Sequence, residues 1–149
     1  PEMFQQGYSI FLPARLEDKG IANEQIKVAD LGYKPYSTLF TTQKMIDENP
    51  ELVQEVVDRL RAAFVKSLNN PKPTMDLILG KSKKVTPAIH MNAVKLMKEE
   101  FLPKDYSKLG CMKTARWEEL AEQLKEVDVV PSDFNPGSSF NLSFLGNCE

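Results

Sequence analysis

The chain has 149 residues, of which 42% are hydrophobic and 27% are charged, and its formal net charge is −2. This length fits one domain that can bury a core. Acidic and basic residues are interleaved, which argues against nucleic-acid binding, since that function usually shows as a basic face. No apolar run approaches the ~20 residues that a membrane-spanning helix needs. We therefore expect a protein that neither binds nucleic acid nor spans a membrane.

The amino-terminal part contains two short runs that predict β-strands. Residues 8–12 form an apolar run that ends at Pro13, and residues 26–31 alternate between apolar and polar. Between them, residues 16–20 predict one helical turn that closes at a glycine. A two-stranded sheet is marginally stable by itself, so we expect a sheet whose other strands lie outside this sequence. Residues 32–40 predict an extended connection.

The segment 49–70 is the strongest helix prediction. Asn49 is a good N-cap and Pro50 suits the first helical position, where its missing N–H costs nothing. Its apolar residues recur at a spacing of three and four, which predicts one stripe that packs against a core. The stripe comprises Val53, Val56, Val57, Leu60, Ala63, Phe64 and Leu68.

Weaker helical patterns surround this segment. Helices are predicted over residues 41–46, 74–79 and 88–101, and a last helix is predicted to be capped by Thr114. The residues that follow Glu126 contain Pro, Gly, Ser and Asn between single aromatic residues, which predicts an ordered tail that docks on the helices.

Few residues carry recognisable chemistry. His90 is the only histidine, so no His-rich metal site exists, and a surface or satisfied helix histidine is favoured over a catalytic one. Trp117 lies on an apolar stripe, which favours core packing over ligand stacking. The pairs 99–100 and 118–119 are acidic, but adjacent helical side chains diverge by about 100° and cannot converge on one atom. The basic cluster at 81–84 favours a solvated loop over a phosphate site.

Catalytic motifs are also missing from the sequence. It contains no Gly-rich phosphate loop, no G-x-S-x-G, no C-x-x-C and no H-E-x-x-H. We expect no enzyme, no cofactor and no metal. Cys111 and Cys148 form either one disulfide in an oxidising compartment or two free thiols, and the sequence leaves both open.

Several passages stand in an order that resembles a known family. They are Gln-Gly-Tyr-Ser-Ile at 6–10 with Leu-Pro-Ala at 12–14, Leu-Phe-Thr-Thr at 39–42 with Asn-Pro-Glu-Leu-Val at 49–53, and Trp-Glu-Glu-Leu at 117–120 with the tail Phe-Asn-Leu-Ser-Phe-Leu at 140–145. Together they resemble the carboxy-terminal half of periplasmic solute-binding proteins of ABC transporters, in the group of sulfonate, taurine, nitrate and thiamine-precursor binders. The resemblance covers nearly the whole chain.

The resemblance implies an α/β, periplasmic-binding-protein-like fold of two lobes, of which this chain would be a helix-rich carboxy-terminal fragment. Residues 1–33 would then be a remnant of the second lobe, and residues 34–41 would be a hinge that returns to the first lobe. Residues 42–149 would form the helical part of the first lobe and the tail. The chain begins at Pro1 without an initiator methionine, which agrees with a processed start or a piece of a longer protein.

The resemblance also implies a function. The protein would capture a small organic or oxyanionic solute between two lobes that close by a hinge motion, and would pass it to an ABC permease in the membrane. It would be periplasmic or extracellular, and membrane-associated if it is a lipoprotein. Ser9 stands where many members carry an aspartate. The implied ligand-binding residues are Ser9, Leu12, Pro13, Tyr36, Ser37 and Thr38.

Two other classes of function stay open at this point. A thiamine-pyrimidine-synthase-like enzyme would resemble the same fold, although its cysteine-rich motif is not found here. A helical protein-interaction module would use its apolar stripes to bind a partner. If the chain is a fragment, we expect it to bind ligands poorly and to self-associate through exposed apolar surface.

Overall fold

The computed structural model describes residues 5–34, 36–146 and 148. Within these residues the chain forms six α-helices and no β-strand. The helices are α1 (Leu12–Asp18), α2 (Gln43–Glu48), α3 (Pro50–Asn69), α4 (Pro71–Lys81), α5 (Pro87–Leu96) and α6 (Thr114–Glu126). One π turn (Met97–Phe101) continues α5, and 3-10 turns cover Val28–Leu31, Tyr106–Lys108 and Pro136–Ser138. No helix among the described residues is both long and apolar enough to cross a bilayer.

The predicted two-lobed α/β fold is therefore wrong for the described part of the chain. The strand expected at residues 8–12 is instead a turn in which the Tyr8 carbonyl accepts the N–H groups of Phe11 and Leu12, each at 3.0 Å. The turn leads directly into α1. Pro13, expected to end a strand, lies in the first helical turn, where a fixed φ and a missing N–H are both tolerated.

The strand expected at residues 26–31 is wrong for a related reason. Val28–Leu31 forms a 3-10 turn, and Gly32 closes it with a φ of +92°, a left-handed conformation that glycine adopts without strain. An alternating pattern becomes a strand only when another strand satisfies its backbone groups. Among the described residues no such partner exists, so local turn formation prevails.

The helix predictions from residue 42 onward are confirmed. The hydroxyls of Thr42 and Thr86 cap α2 and α5 by accepting the N–H groups of residues 45 and 89, at 3.1 and 3.2 Å. Several boundaries differ from the prediction. The second helix ends at Glu48 rather than at residue 46, the fourth ends at Lys81 rather than at residue 79, and the α-helical part of the fifth ends at Leu96 rather than at residue 101. The fourth helix begins at Pro71 rather than at residue 74, because prolines fit its first turn. Lys113, not Thr114, is the N-cap residue of α6.

The chain divides into two compact units. The first contains the described residues within 1–26 and 62–109, and the second contains those within 27–61 and 110–149. Residues 50–61 of α3 belong to the second unit and the rest of this helix belongs to the first.

The first unit is organised around α5, against which α1 and α4 pack. Two side-chain hydrogen bonds attach α1 to α5. The Thr86 hydroxyl donates to the Asp18 carboxylate at 3.1 Å, and the Asn92 amide donates to the Glu17 carboxylate. The buried apolar side chains of this unit are Pro13, Ala14, Leu68, Ile89, Ala93, Val94 and Leu109.

Asp105 is the N-cap residue of the 3-10 turn Tyr106–Lys108, which follows the π turn. Its carboxylate accepts the Ser107 hydroxyl at 2.7 Å and the Ser107 N–H at 2.9 Å. Chiefly because of the hydroxyl, and then because of the N–H, the pKa of Asp105 lies below its ordinary value. Stabilisation from a depressed carboxylate pKa is present near neutral pH and is lost as the pH falls through the folded-state value.

The second unit is built on α6 and on the first three turns of α3. The carboxy-terminal tail crosses one face of α3, where the Gln54 side chain donates to the Phe144 carbonyl at 3.1 Å. Arg61 donates to the Leu145 carbonyl at 2.9 Å. These bonds hold the tail in place, as the sequence predicts for an ordered tail.

Replacing Leu68 with alanine tests the core of the first unit. Leu68 is only 2% exposed, and removing a buried leucine side chain costs the lost burial plus a cavity term, together about 2–5 kcal/mol. We expect the free energy of unfolding, measured in urea, to fall by that amount. Leu77→Ala on α4 is the control, because Leu77 is 67% exposed and should change stability by less than about 0.5 kcal/mol. Equal effects of the two variants would contradict this core.

Candidate functional site

Three aromatic rings from distant parts of the sequence meet in the second unit. Trp117 on α6 stacks on Phe140 of the tail, with ring centroids 5.2 Å apart and planes 11° from parallel. Tyr36 contacts the same indole at 5.5 Å in a tilted arrangement. Offset and tilted pairs at these separations are the favoured geometries of aromatic side chains. The indole therefore joins two segments that carry no α-helix of their own.

Tyr36 is also anchored by polar contacts to the start of α6. Its hydroxyl accepts the backbone N–H of Lys113 at 3.0 Å. The guanidinium carbon of Arg116 lies 3.9 Å from the centre of its ring, a cation–π contact. The Arg116 Nε donates to the carbonyl of Lys34 at 2.6 Å. Lys113 is the N-cap residue of α6 and contacts Tyr36 through its backbone, whereas Arg116 in the first turn contacts it through its side chain, so Tyr36 packs against the start of α6.

The surroundings of Tyr36 combine hydroxyl groups with positive charge. Ser37 and Thr38 follow Tyr36 and are exposed, while the Arg116 guanidinium lies over the Tyr36 ring. The exposed pair Glu118 and Glu119 follows Arg116 on α6, as its sequence predicts for a solvated face. A guanidinium group close to exposed residues that carry hydroxyls suits a small anion more than a small cation.

The six residues implied by the resemblance fall into both units. Ser9 lies in the turn before α1, Leu12 begins α1, and Pro13 is buried in its first turn; all three belong to the first unit. Tyr36, Ser37 and Thr38 belong to the second unit. The structure brings Tyr36 together with Lys113, Arg116 and Trp117.

Sequence reasoning missed Lys113 and Arg116 as site residues. The one available signal was their position, since Lys113 and Arg116 lie four residues and one residue before the single tryptophan. That signal does not identify Tyr36 as their partner, because Tyr36 is 77 residues from Lys113. Trp117 packs between two rings, as predicted for a packing residue. Its Nε1 is buried and has no hydrogen-bond partner within the described residues.

Gly7 is needed where the sequence placed the start of a ligand-bordering strand. A Cβ atom at this position would lie 2.8 Å from the Leu12 Cβ and 2.5 Å from the Leu12 Cδ2. The first of these atoms cannot move without the backbone of α1. The glycine therefore permits the tight turn into α1 and does not border a strand.

His90 is half-buried on α5 in the first unit. Its Nε2 is buried without a hydrogen-bond partner in the described part of the chain. The ring therefore lies on a helix, as expected, but it is neither fully at the surface nor satisfied by a hydrogen bond at this nitrogen. Within that part, no group of three or more His, Cys, Asp or Glu side chains is placed to hold a metal ion.

A disulfide joins Cys111, which precedes α6, to Cys148 in the tail. The two Cα atoms are 5.5 Å apart and the cysteines are separated by 37 residues. This bond resolves the alternative that the sequence left open, and it is consistent with an oxidising compartment. Both cysteines flank segments that meet at Trp117, so the bond constrains the same part of the second unit as the aromatic contacts.

Breaking the disulfide is expected to destabilise the second unit. In the chain-entropy account, closing a loop of this length restricts the unfolded chain by about 4 kcal/mol. The Cys111→Ser/Cys148→Ser variant should therefore unfold at lower urea concentration, as followed by the fluorescence of Trp117. Adding a reductant to the natural chain should reproduce this loss and should leave the variant unchanged. A variant as stable as the oxidised protein would contradict the prediction.

Neither a protein-family model, nor a curated protein, nor a solved structure matches this chain.

Proposed function

We propose that this chain is the solute-binding component of an ABC importer and that it captures a small organic oxyanion. The observation that carries the proposal is the contact between Tyr36 and the start of α6. The helix that begins Thr-Ala-Arg-Trp carries one of the passages through which the sequence resembles such proteins, and the segment that contains Tyr36 leads directly into another, which begins at residue 39. The contact between Tyr36 and the start of this helix supports a common role for the two segments. The proposed role is binding rather than catalysis.

The chemistry around Tyr36 supports an oxyanion as the solute. Carboxylates, sulfonates and related groups accept hydrogen bonds from hydroxyls such as those of Ser37 and Thr38. Hydrogen bonds to charged donors are stronger than those to neutral ones, which favours a position near Arg116. Arg116 is held against the Tyr36 ring, so its charge is in place before a solute arrives and little ordering cost is added.

The proposed compartment is the periplasm or the cell exterior. A disulfide between Cys111 and Cys148 persists where thiols are oxidised, and a solute-binding component must meet its solute outside the permease. The partner is the ABC permease in the membrane, and attachment through a lipid anchor would keep the protein close to it.

Calorimetric titration with small organic oxyanions tests the proposed solute site. We expect the natural chain to bind at least one carboxylate or sulfonate and to ignore the ammonium compound of the same carbon skeleton. Arg116→Gln should weaken binding by about tenfold or more, because a hydrogen bond to a charged group contributes about 1.5–3 kcal/mol. Native mass spectrometry of the purified protein would identify a solute retained from the cell.

Arg59→Gln is the matched control for this titration. Arg59 lies in the same unit, and its charge pairs with Glu55 at 2.6 Å on the surface of α3. Its removal should leave the affinity unchanged. The proposal is overturned if no oxyanion binds, or if the variants at 59 and 116 weaken binding equally.

The second candidate is a helical protein-interaction module, which an exposed stripe on α3 favours. Three exposed apolar residues of α3 form what we call the α3 stripe. They are Leu52, Val56 and Leu60, and each is 44–49% exposed. At about 100° per residue, they span about 80° of the helix surface. The face that carries Gln54 and Arg61 and holds the tail lies about 150° from the centre of this stripe. The predicted single stripe is thus divided, and part of it remains open to a partner.

Self-association through the α3 stripe is the expected behaviour under this second candidate. The weight-average mass, measured by sedimentation equilibrium, should rise with concentration for the natural chain. Leu60→Glu should abolish the rise, because a carboxylate in an apolar interface must be desolvated. Leu77→Glu, at an exposed leucine of α4, is the control and should leave the rise intact. A mass that stays monomeric at every concentration excludes self-association.

A further inference from the structure

The first unit carries a groove of about 220 Å³ beside α5. Its apolar part is formed by Pro71 at the start of α4 and by Met91 and Val94 of α5. Its charged part is formed by Lys95, Lys98 and Glu99. None of these residues belongs to the site around Tyr36, which is in the second unit. The groove is therefore a separate candidate binding site in the first unit.

The wall of this groove departs from regular α-helical geometry. α5 ends at Leu96 and continues as a π turn, in which the N–H of Leu102 bonds to the carbonyl of Met97 at 2.9 Å. This is a spacing of five residues instead of four. Lys98 and Glu99 lie within the π turn and line the groove. π turns are rare and often occur at functional sites, so the irregularity coincides with the concave surface.

The groove is amphipathic and carries a net positive charge. Val94 is buried and Met91 is exposed. The apolar part therefore combines a packed valine with a flexible methionine that can adjust its shape to a ligand. Two lysines face one glutamate among the lining residues. Within the described residues, no ion pair neutralises Lys95 or Lys98. An apolar body with a negative head group is the ligand chemistry that complements this lining.

We propose that this groove binds a small amphiphilic carboxylate. The aliphatic part of the ligand lies against Met91, Val94 and Pro71, and its carboxylate lies at Lys95 and Lys98. The size of the groove favours a small molecule over a protein partner, since a stable protein interface needs about 800 Å² from each side. A carboxylate of medium chain length removes its apolar surface from water while its charge stays at the exposed rim.

Titration with octanoate, followed by NMR chemical shifts, tests the charge preference of the groove. Octanoate should shift the methyl signals of Met91 and Val94 in a saturable manner. Octanol, which keeps the chain but has no charge, should bind more weakly, and octylammonium should bind most weakly. The proposal is overturned if octylammonium binds as tightly as octanoate, or if no saturable shift occurs at these two methyl groups.

Matched lysine variants locate the head group. Lys95→Gln/Lys98→Gln should raise the octanoate dissociation constant by about fivefold or more, as expected for two partly exposed ion pairs. Lys83→Gln/Lys84→Gln removes the same charge from an exposed loop of the same unit and should leave the dissociation constant unchanged. Equal effects would mean that binding follows only the overall charge, and the proposed position would then be wrong.

Two further variants separate this site from the rest of the protein. Met91→Gln, at an exposed position, should weaken octanoate and octanol alike without unfolding the chain. Arg116→Gln should leave octanoate binding unchanged, because Arg116 is in the other unit. A loss of octanoate binding in the Arg116 variant would contradict an independent site in the first unit. Failure of the solute proposal and failure of the groove proposal are thereby distinguishable.

Discussion

The contact of Trp117 with Tyr36 and Phe140 is the interaction on which the second unit most depends. It joins α6 to the segment between α1 and α2 and to another near the end of the chain. Neither segment has a regular helix through which it could bury apolar surface. Aromatic pairs of this kind contribute about 0.5–1.5 kcal/mol beyond their burial, and the nearby disulfide adds a covalent constraint. The position of Arg116, and with it the proposed solute site, follows from this packing.

Helices were predictable from the sequence because their determinants are local. Thr42, Thr86 and Pro50 each act within one helical turn of their own position, so no distant contact is needed to read them. Strands were mispredicted because a strand depends on a partner that the sequence pattern does not specify. Pro13 shows how close the alternatives are, since the same fixed φ is compatible with an extended segment and with the first turn of a helix.

The candidate site was predictable only in part, for the same reason. The resemblance, together with the neighbouring hydroxyl residues, predicted Tyr36 as a ligand-binding residue. Its partners Lys113 and Arg116 could not be predicted, because the pairing joins positions about 80 residues apart and depends on how the whole second unit packs. The groove beside α5 was equally hidden, since it depends on a π turn whose five-residue hydrogen bond has no recognised sequence signature among Met97–Phe101.

Exposed apolar side chains link the two candidate functions. Phe40 is 91% exposed, and Tyr8 and Ile26 lie in the segments that were expected to be strands and are also largely exposed. Tyr8 and Ile26 belong to the first unit, and Phe40 and the α3 stripe belong to the second, so each unit exposes large apolar side chains to water. Covering apolar surface contributes about 25 cal/mol per Å², and the surplus over the cost of association appears as affinity. The proposed solute site at Tyr36 and the α3 stripe use different residues, so the two proposed roles are compatible.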